Sequence, residues 1–229
     1  MRLNYRVILH ILGILITING GFMLLTLVFS NKEDFYGILL AGLITVSVGG
    51  GLFFLTKNFC NRDVKKKEGY LIVTSGWLIM SIFGTLPYLL TDTIPDYTNA
   101  FFETLSGYST TGATILQDIE SLPRGVLFWR SLTQWIGGMG IIVLTVAVLP
   151  ILGIGGMQLF VAEAPGISPD KLQPRIKETA KRLWYIYLGL TAAETLLLWI
   201  GGMSFYDAIN HALTTMATGG LSTKTDSIA

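Results

Sequence analysis

Charge is scarce in this sequence. Only 14% of its 229 residues are charged, whereas 51% are apolar. A soluble domain of this length would need more charge to cover its surface. The charged residues fall in short clusters separated by long, predominantly apolar stretches. Because a bilayer core about 30 Å thick is crossed by about 20 helical residues, these stretches predict an all-α membrane protein surrounded by lipid.

Cysteine and histidine are equally scarce. Cys60 is the single cysteine, and His10 and His211 lie far apart. One cysteine excludes an internal disulfide and a cysteine-based metal site. An enzyme would need a clustered nucleophile and base or a set of metal ligands, and these residues offer neither. We therefore expect no enzymatic activity and no organic cofactor. The absence of a basic patch also argues against a nucleic-acid partner.

Five membrane spans are predicted, at residues 7–30, 35–56, 70–91, 125–152 and 183–203. The first is too long for the apolar part of a cleaved signal peptide, so we expect it to be a span. Twelve of the 16 basic residues lie before span one, between spans two and three, or between spans four and five. Basic residues prefer the cytoplasmic side, which predicts a multi-pass protein with a cytoplasmic N-terminus.

Two segments on the predicted outer side, 92–124 and 204–229, are not ordinary polar loops. Each opens with acidic or turn-forming residues, continues with a mixed apolar stretch too short to span a bilayer, and ends in a Thr/Gly/Ser run. This pattern is typical of a re-entrant helix followed by a loop that lines a cavity.

The two segments also resemble each other. With one gap, Asn99–Ala113 aligns with Asp207–Gly220, which places Thr111-Gly112 opposite Thr218-Gly219, 107 residues later. One Thr-Gly run alone is more often a turn, but two runs at matched positions of a repeat favour a filter. Glycine lets carbonyl groups turn toward an axis, and rings of carbonyls replace the hydration shell of potassium.

Three stretches resemble the Trk/Ktr-type potassium uptake subunits, specifically the TrkH branch. They are Phe101–Thr114, Leu122–Ile142 and Asp207–Gly220, and the segment Glu163-Ala-Pro-Gly166 is similar to the family's cytoplasmic connection. The resemblance implies four span–pore-helix–span units around one pore, preceded by two extra helices. It also implies potassium uptake, a dimer in the bacterial inner membrane, and control by a cytoplasmic nucleotide-binding ring of TrkA type.

Applied to this chain, the resemblance divides it into four parts. These are two leading helices with a cytoplasmic loop (1–69), a first repeat (70–152), a cytoplasmic connection (153–182) and a second repeat that stops after its loop (183–229). Potassium would bind at the first two quarters of the filter, namely Thr110, Thr111, Gly112, Ala113, Ala217, Thr218, Gly219 and Gly220. Because the family plan has four units, we expect this chain to be a truncated, N-terminal half.

Residues of the fourth span and the first short helix could support the filter. Arg130 could pair with Glu103, or it could extend to the outer interface beside Trp129. Glu103 itself could lend negative potential to the outer vestibule or hold its helix through hydrogen bonds, and the second role is favoured. Three glycines of the same span, Gly137, Gly138 and Gly140, would allow close helix packing or a bend, and packing is favoured.

Two alternatives to a potassium pore stay open at this point. A secondary cation transporter would have inverted repeats and ionisable residues deep in its spans. The parallel repeats and the nearly uncharged spans favour the pore instead. A truncated chain could also have only a structural role.

Overall fold

The computed structural model describes residues 4–57, 66–152 and 172–226, with side chains at 4–57, 68–140 and 178–226. Every regular element in these ranges is helical, so the predicted all-α class is confirmed for them. The helices are α1 (Tyr5–Leu25, extended by a 3-10 turn at Thr26–Val28), α2 (Phe35–Thr56), α3 (Lys66–Gly84), α4 (Leu86–Leu90), α5 (Tyr97–Tyr108), α6 (Arg124–Leu152), α7 (Leu172–Ile200) and α8 (Phe205–Met216).

Four segments are long and apolar enough to cross a membrane. They are Tyr5–Val28, Phe35–Thr56, Glu68–Leu90 and Glu178–Ile200. These agree with four of the five predicted spans to within a few residues. The remaining span, predicted at 125–152, coincides with α6. Cys60 and residues 153–171, which include Glu163–Gly166, lie outside the described residues.

The first two helices form a closely packed hairpin. A Cβ atom added to Gly49 of α2 would lie 2.5 Å from the backbone nitrogen of Thr17 on α1. One added to Gly20 of α1 would lie 2.8 Å from the backbone nitrogen of Val46 on α2. Without side chains at these glycines the two backbones approach each other closely, which is how helices gain packing energy in a bilayer.

The third predicted span is interrupted rather than continuous. Helix α3 ends at Gly84, and α4 begins at Leu86. Pro87 explains the break because it lacks an N–H group and its ring displaces the carbonyl four residues before it. The indole Nε1 of Trp129 on α6 donates a hydrogen bond to the Gly84 carbonyl at 3.0 Å. This bond fixes the break against α6.

The leading hairpin is anchored to the helices that carry the candidate site. The buried Asp34 carboxylate accepts a hydrogen bond from the Gly125 backbone nitrogen at 2.8 Å, at the start of α6. A negative charge at this end of a helix is favourable. On α1, Asn19 Oδ1 accepts the Tyr108 hydroxyl at 2.5 Å. The hairpin therefore holds both the start of α6 and the end of α5, next to a core that includes the buried ring of Trp129.

Candidate functional site

Helices α5 and α8 are equivalent short helices of 12 residues each. At about 18 Å they are too short to cross a bilayer core. Each begins at a side-chain cap. Asp96 accepts the Asn99 backbone N–H at 2.8 Å. Ser204 accepts the Asp207 backbone N–H at 3.1 Å, and its hydroxyl donates to the Asp207 carboxylate at 2.7 Å.

Both helices also end in the same hydrogen-bond pattern. The Thr110 and Thr218 backbone nitrogens donate to carbonyls three residues before them, at 2.9 and 2.8 Å. The next nitrogen in each loop donates to a carbonyl five residues before it, at 3.1 and 2.9 Å. This is a Schellman motif, whose left-handed position is usually glycine. Here that position is threonine in both loops.

The backbone angles establish the true register of the repeat. Thr110 and Thr218 both have φ of 56°, and Gly112 and Gly220 have φ of 74° and 75°. The repeat offset is therefore 108 residues, and the predicted offset of 107 is wrong by one. Gly220, not Gly219, is the equivalent of Gly112. A β-branched residue at positive φ is rare and strained, and such strain concentrates at functional sites.

The two loops touch each other. A Cβ atom added to Gly112 would overlap the carbonyl oxygen of Gly219. At Gly112, therefore, a side chain is excluded by both the backbone angle and the neighbouring loop. The repeat predicted from sequence brings its two Thr/Gly loops together, although they lie about a hundred residues apart.

The glycines of α6 allow this approach, as expected. A Cβ atom on Gly137 would overlap the Tyr108 carbonyl at the end of α5, and one on Gly138 would lie 3.0 Å from the Ala217 Cα atom at the end of α8. Gly140 faces the Trp77 ring, 3.2 Å from its added Cβ atom. The predicted packing role of these three glycines is confirmed. Gly137 and Gly138 thus allow the C-terminal ends of α5 and α8 to pack closely against α6.

Three consecutive carbonyls in each loop accept no hydrogen bond from any residue that the structure describes. Within the part of the chain that the structure describes, no group donates to the carbonyls of residues 110–112 or 218–220. The next carbonyl, that of Ala113, differs because it accepts the Ser106 hydroxyl at 2.6 Å. The Ala217 carbonyl also accepts no hydrogen bond from the described residues, but Ala217 precedes its loop as the C-cap of α8. The geometry thus groups six of the eight predicted residues, three from each loop.

A buried ion pair braces the segments that follow both loops. Arg130 Nε lies 2.6 Å from Glu103 Oε1, and the two side chains are 2% and 0% exposed. Glu103 also accepts the Thr114 hydroxyl at 3.0 Å and the Ile115 backbone N–H at 3.1 Å, just after the first loop. Arg130 Nη1 donates to the Ser222 carbonyl at 3.0 Å, just after the second. Arg130 is therefore paired with Glu103 rather than extended to the interface, and Glu103 bonds to the segment after the first loop.

Gln134 is a member of the site that the sequence prediction missed. It lies one turn after Arg130 on α6 and is fully buried. Its Oε1 accepts the Leu221 backbone N–H at 3.2 Å. A Cβ atom on Gly219 would overlap its amide group. The available signal was a polar residue four positions after an arginine in an apolar helix, which places both on one face.

Asp207 ties the start of α8 to the chain beyond its loop, outside the four candidate spans. Its Oδ1 accepts the Thr223 hydroxyl at 2.7 Å. Partial burial opposes ionisation of this carboxyl, but hydrogen bonds from Ser204 and Thr223, with the nearby positive charge of Lys224, hold its pKa below the usual range.

Comparison with known proteins identifies the family. Residues 36–229 match the sequence profile of the TrkH family, described as cation transport proteins. The chain belongs to the TrkH family. The resemblance to the TrkH branch that the three sequence stretches indicated is therefore confirmed.

Several TrkH proteins align with almost the whole chain. It is 44% identical to the Trk system potassium uptake proteins TrkH of Salmonella typhimurium and Escherichia coli K12, over 99% of this chain and 48% of theirs. The crystal structure of the potassium transporter TrkH from Vibrio parahaemolyticus matches with a TM-score of 0.84 at 38% identity, over 99% of this chain and 46% of that one. The chain spans about half the length of the curated relatives it matches. These relatives are transport proteins, which confirms the prediction that the chain is not an enzyme.

Proposed function

We propose that this chain supplies the first two of four filter segments in a pore that conducts potassium into the cell. The observation that carries the proposal is the pair of matched loops. They have the same backbone angles 108 residues apart, and they contact each other at Gly112 and Gly219. Names of relatives as potassium uptake proteins support potassium as the transported ion.

The chemistry of the loops suits a potassium ion. Backbone carbonyls can replace its hydration shell. The carbonyls of residues 110–112 and 218–220, which accept no hydrogen bond from the described part of the chain, provide two sets of three. Each loop also follows the C-terminal end of a short helix, which carries partial negative charge. Of the eight residues predicted to bind potassium, we propose these six as ligands. Ala113 and Ala217 flank them.

The proposed architecture follows the repeat. Helices α5 and α8 are pore helices that enter the membrane from outside and return through their loops, since they are too short to span it. The chain divides into two leading helices (1–69), a first repeat (70–152), a connection (153–182) and a second repeat (183–229). Helix α7 already begins within the connection, at Leu172.

The same direction of both repeats supports a pore rather than a secondary transporter. In each, a candidate span leads into a 12-residue helix and then a Thr/Gly loop. Parallel units of this kind are related by an axis along the membrane normal, along which an ion would pass. Inverted repeats would give the two loops opposite directions.

The family and the apolar helices also support a place in the bacterial inner membrane. The distribution of basic residues supports a cytoplasmic N-terminus. By family resemblance, we propose a homodimer surrounded by lipid and regulated by a cytoplasmic nucleotide-binding ring of TrkA type.

Serine substitutions at the equivalent glycines test the filter. Gly112→Ser and Gly220→Ser each place a side chain at a left-handed glycine of a proposed filter loop. We expect each to lower the potassium-over-sodium uptake ratio on the order of tenfold, because displacing carbonyls by a few tenths of an ångström alters the ion cavity. The measurement is uptake of both ions into liposomes that contain the protein at its full native length.

Gly202→Ser is the matched control. Gly202 also has a positive φ, 104°, but it lies between α7 and α8 with no neighbour near its added Cβ atom. The same backbone strain without contact to a loop should leave the uptake ratio unchanged. Unaltered ion preference in both loop variants would remove these loops from the filter.

A further inference from the structure

The side chain of Gln134 contacts the second loop at Gly219 and Leu221, and the formation of its own helix does not require these contacts. We propose that Gln134 is a selectivity-determining positioning residue, whose amide group sets the distance between the first and second filter loops. The inference rests on the proposed potassium filter and concerns a residue outside both loops.

Gln134 holds the second loop through a hydrogen bond. Its Oε1 accepts the Leu221 backbone N–H, one residue after the three free carbonyls of residues 218–220. Because the side chain is fully buried, no bulk water replaces this acceptor if it is removed. The contact therefore fixes the end of the carbonyl row that the ion would meet.

The same amide also fills the space behind Gly219. Gly219 does not have the left-handed backbone that explains glycine at Gly112 and Gly220. A Cβ atom there would overlap the Gln134 amide carbon and nitrogen. The Gln134 amide, rather than the backbone angle, therefore occupies the space that a side chain at position 219 would take. The Gln134 amide packs against Gly219, and the carbonyl oxygen of Gly219 in turn contacts Gly112.

The remaining amide nitrogen lies near the first loop. Gln134 Nε2 is buried and has no hydrogen-bond partner among the residues described, and it lies 3.6 Å from the position of a Cβ atom on Gly112. The amide nitrogen is thus close to both glycines, because a Cβ atom added to Gly219 would overlap it as well. One amide group therefore lies against both loops, with its oxygen holding one of them.

This placement explains how Gln134 would act on selectivity. Sodium is the smaller ion, so a filter that collapses by a few tenths of an ångström coordinates it better. A rigid amide between two loops opposes that collapse. Loss of the amide should therefore alter the ratio of the two ions more than the total rate of transport.

The first test replaces the amide and keeps the bulk. We expect Gln134→Met to lower the potassium-over-sodium uptake ratio by roughly two- to tenfold, the factor that corresponds to one net hydrogen bond. Thr133→Val is the matched control. Thr133 is also fully buried on α6, but its hydroxyl donates within its own helix and it packs on Gly107 of α5. Its ratio should equal that of the wild type.

The second test stays informative if Gln134→Met folds poorly. Gly219→Ala introduces the overlapping methyl group and should lower the ratio. Adding Gln134→Ala should lower the ratio by a smaller factor than Gln134→Ala does in the wild-type background, because the methyl group already disturbs the contact with the amide. Losses that multiply independently would overturn the proposed contact.

The uptake ratio of the wild-type protein distinguishes failure of the proposed filter from failure of the proposed role of Gln134. If it shows no preference for potassium, the proposed filter itself fails. If it is selective and Gln134→Met has the same ratio, only the role of Gln134 is refuted.

Discussion

The buried pair of Arg130 and Glu103 allows a quantitative prediction. Arg130→Met removes one partner and leaves the Glu103 carboxylate fully buried. The carboxylate then keeps hydrogen bonds from only two neutral groups, the Thr114 hydroxyl and the Ile115 backbone N–H. Breaking a buried pair on one side costs about 3–5 kcal/mol, much of it from the unpaired charge that stays behind. We therefore expect a melting temperature several degrees below that of the wild type.

The double variant separates the pair from the rest of the packing. Glu103→Gln alone leaves Arg130 as the unpaired buried charge and should be similarly destabilising. Combined with Arg130→Met it leaves no charge, so the loss should be smaller than the sum of the single losses by about 2–3 kcal/mol. Melting temperatures measured in detergent by size-exclusion chromatography after heating provide the comparison.

Arg124→Met is the control for this experiment. Arg124 is an exposed arginine six residues earlier in the sequence, stacked 5.4 Å above the Tyr206 ring. Loss of such an exposed contact costs about 0.5–1 kcal/mol. The reasoning would be refuted if Arg130→Met had the same melting temperature as Arg124→Met. It would also be refuted if the losses of Arg130→Met and Glu103→Gln simply added in the double variant.

Two further predictions concern the anchors around the site. Asp34→Ala removes the buried acceptor of the Gly125 N–H and should destabilise the protein by about 1–3 kcal/mol, whereas Glu33→Ala, its exposed neighbour, should have little effect; equal melting temperatures would show that the anchor is dispensable. The lowered pKa of Asp207 stabilises the folded state above the pKa that this carboxyl has in the unfolded chain, and this contribution disappears as pH falls through the lower folded value. Acidification should therefore lower the melting temperature less in Asp207→Asn than in the wild type, and parallel curves would exclude the contribution.

The sequence predicts the spans well because the signal is simple. A bilayer demands long apolar helices, and their lengths and charges can be counted. The break at Gly84 is different, since the apolar pattern continues across it. Pro87 was the available signal, and it predicts a local break more reliably than hydropathy does.

The register of the repeat was harder to predict for a physical reason. Matching the letters Thr-Gly aligns Gly112 with Gly219, but the backbone angle aligns it with Gly220. The residue with a left-handed backbone two positions before Gly112, and likewise before Gly220, is threonine, which rarely adopts that conformation. In addition, the space beside Gly219 is taken by a side chain on another helix, and no local pattern contains that information.

Arg130 has a consequence for the order in which the chain assembles. Its counterion Glu103 precedes it by 27 residues, while the Ser222 carbonyl follows it by 92. During synthesis, a charged arginine can thus be neutralised as soon as α6 emerges beside α5, before the second repeat exists. The hydrogen bond from Arg130 to the Ser222 carbonyl forms only after the second loop has been synthesised. The first repeat can be inserted with its buried arginine already paired, and the second repeat adds the remaining hydrogen bond.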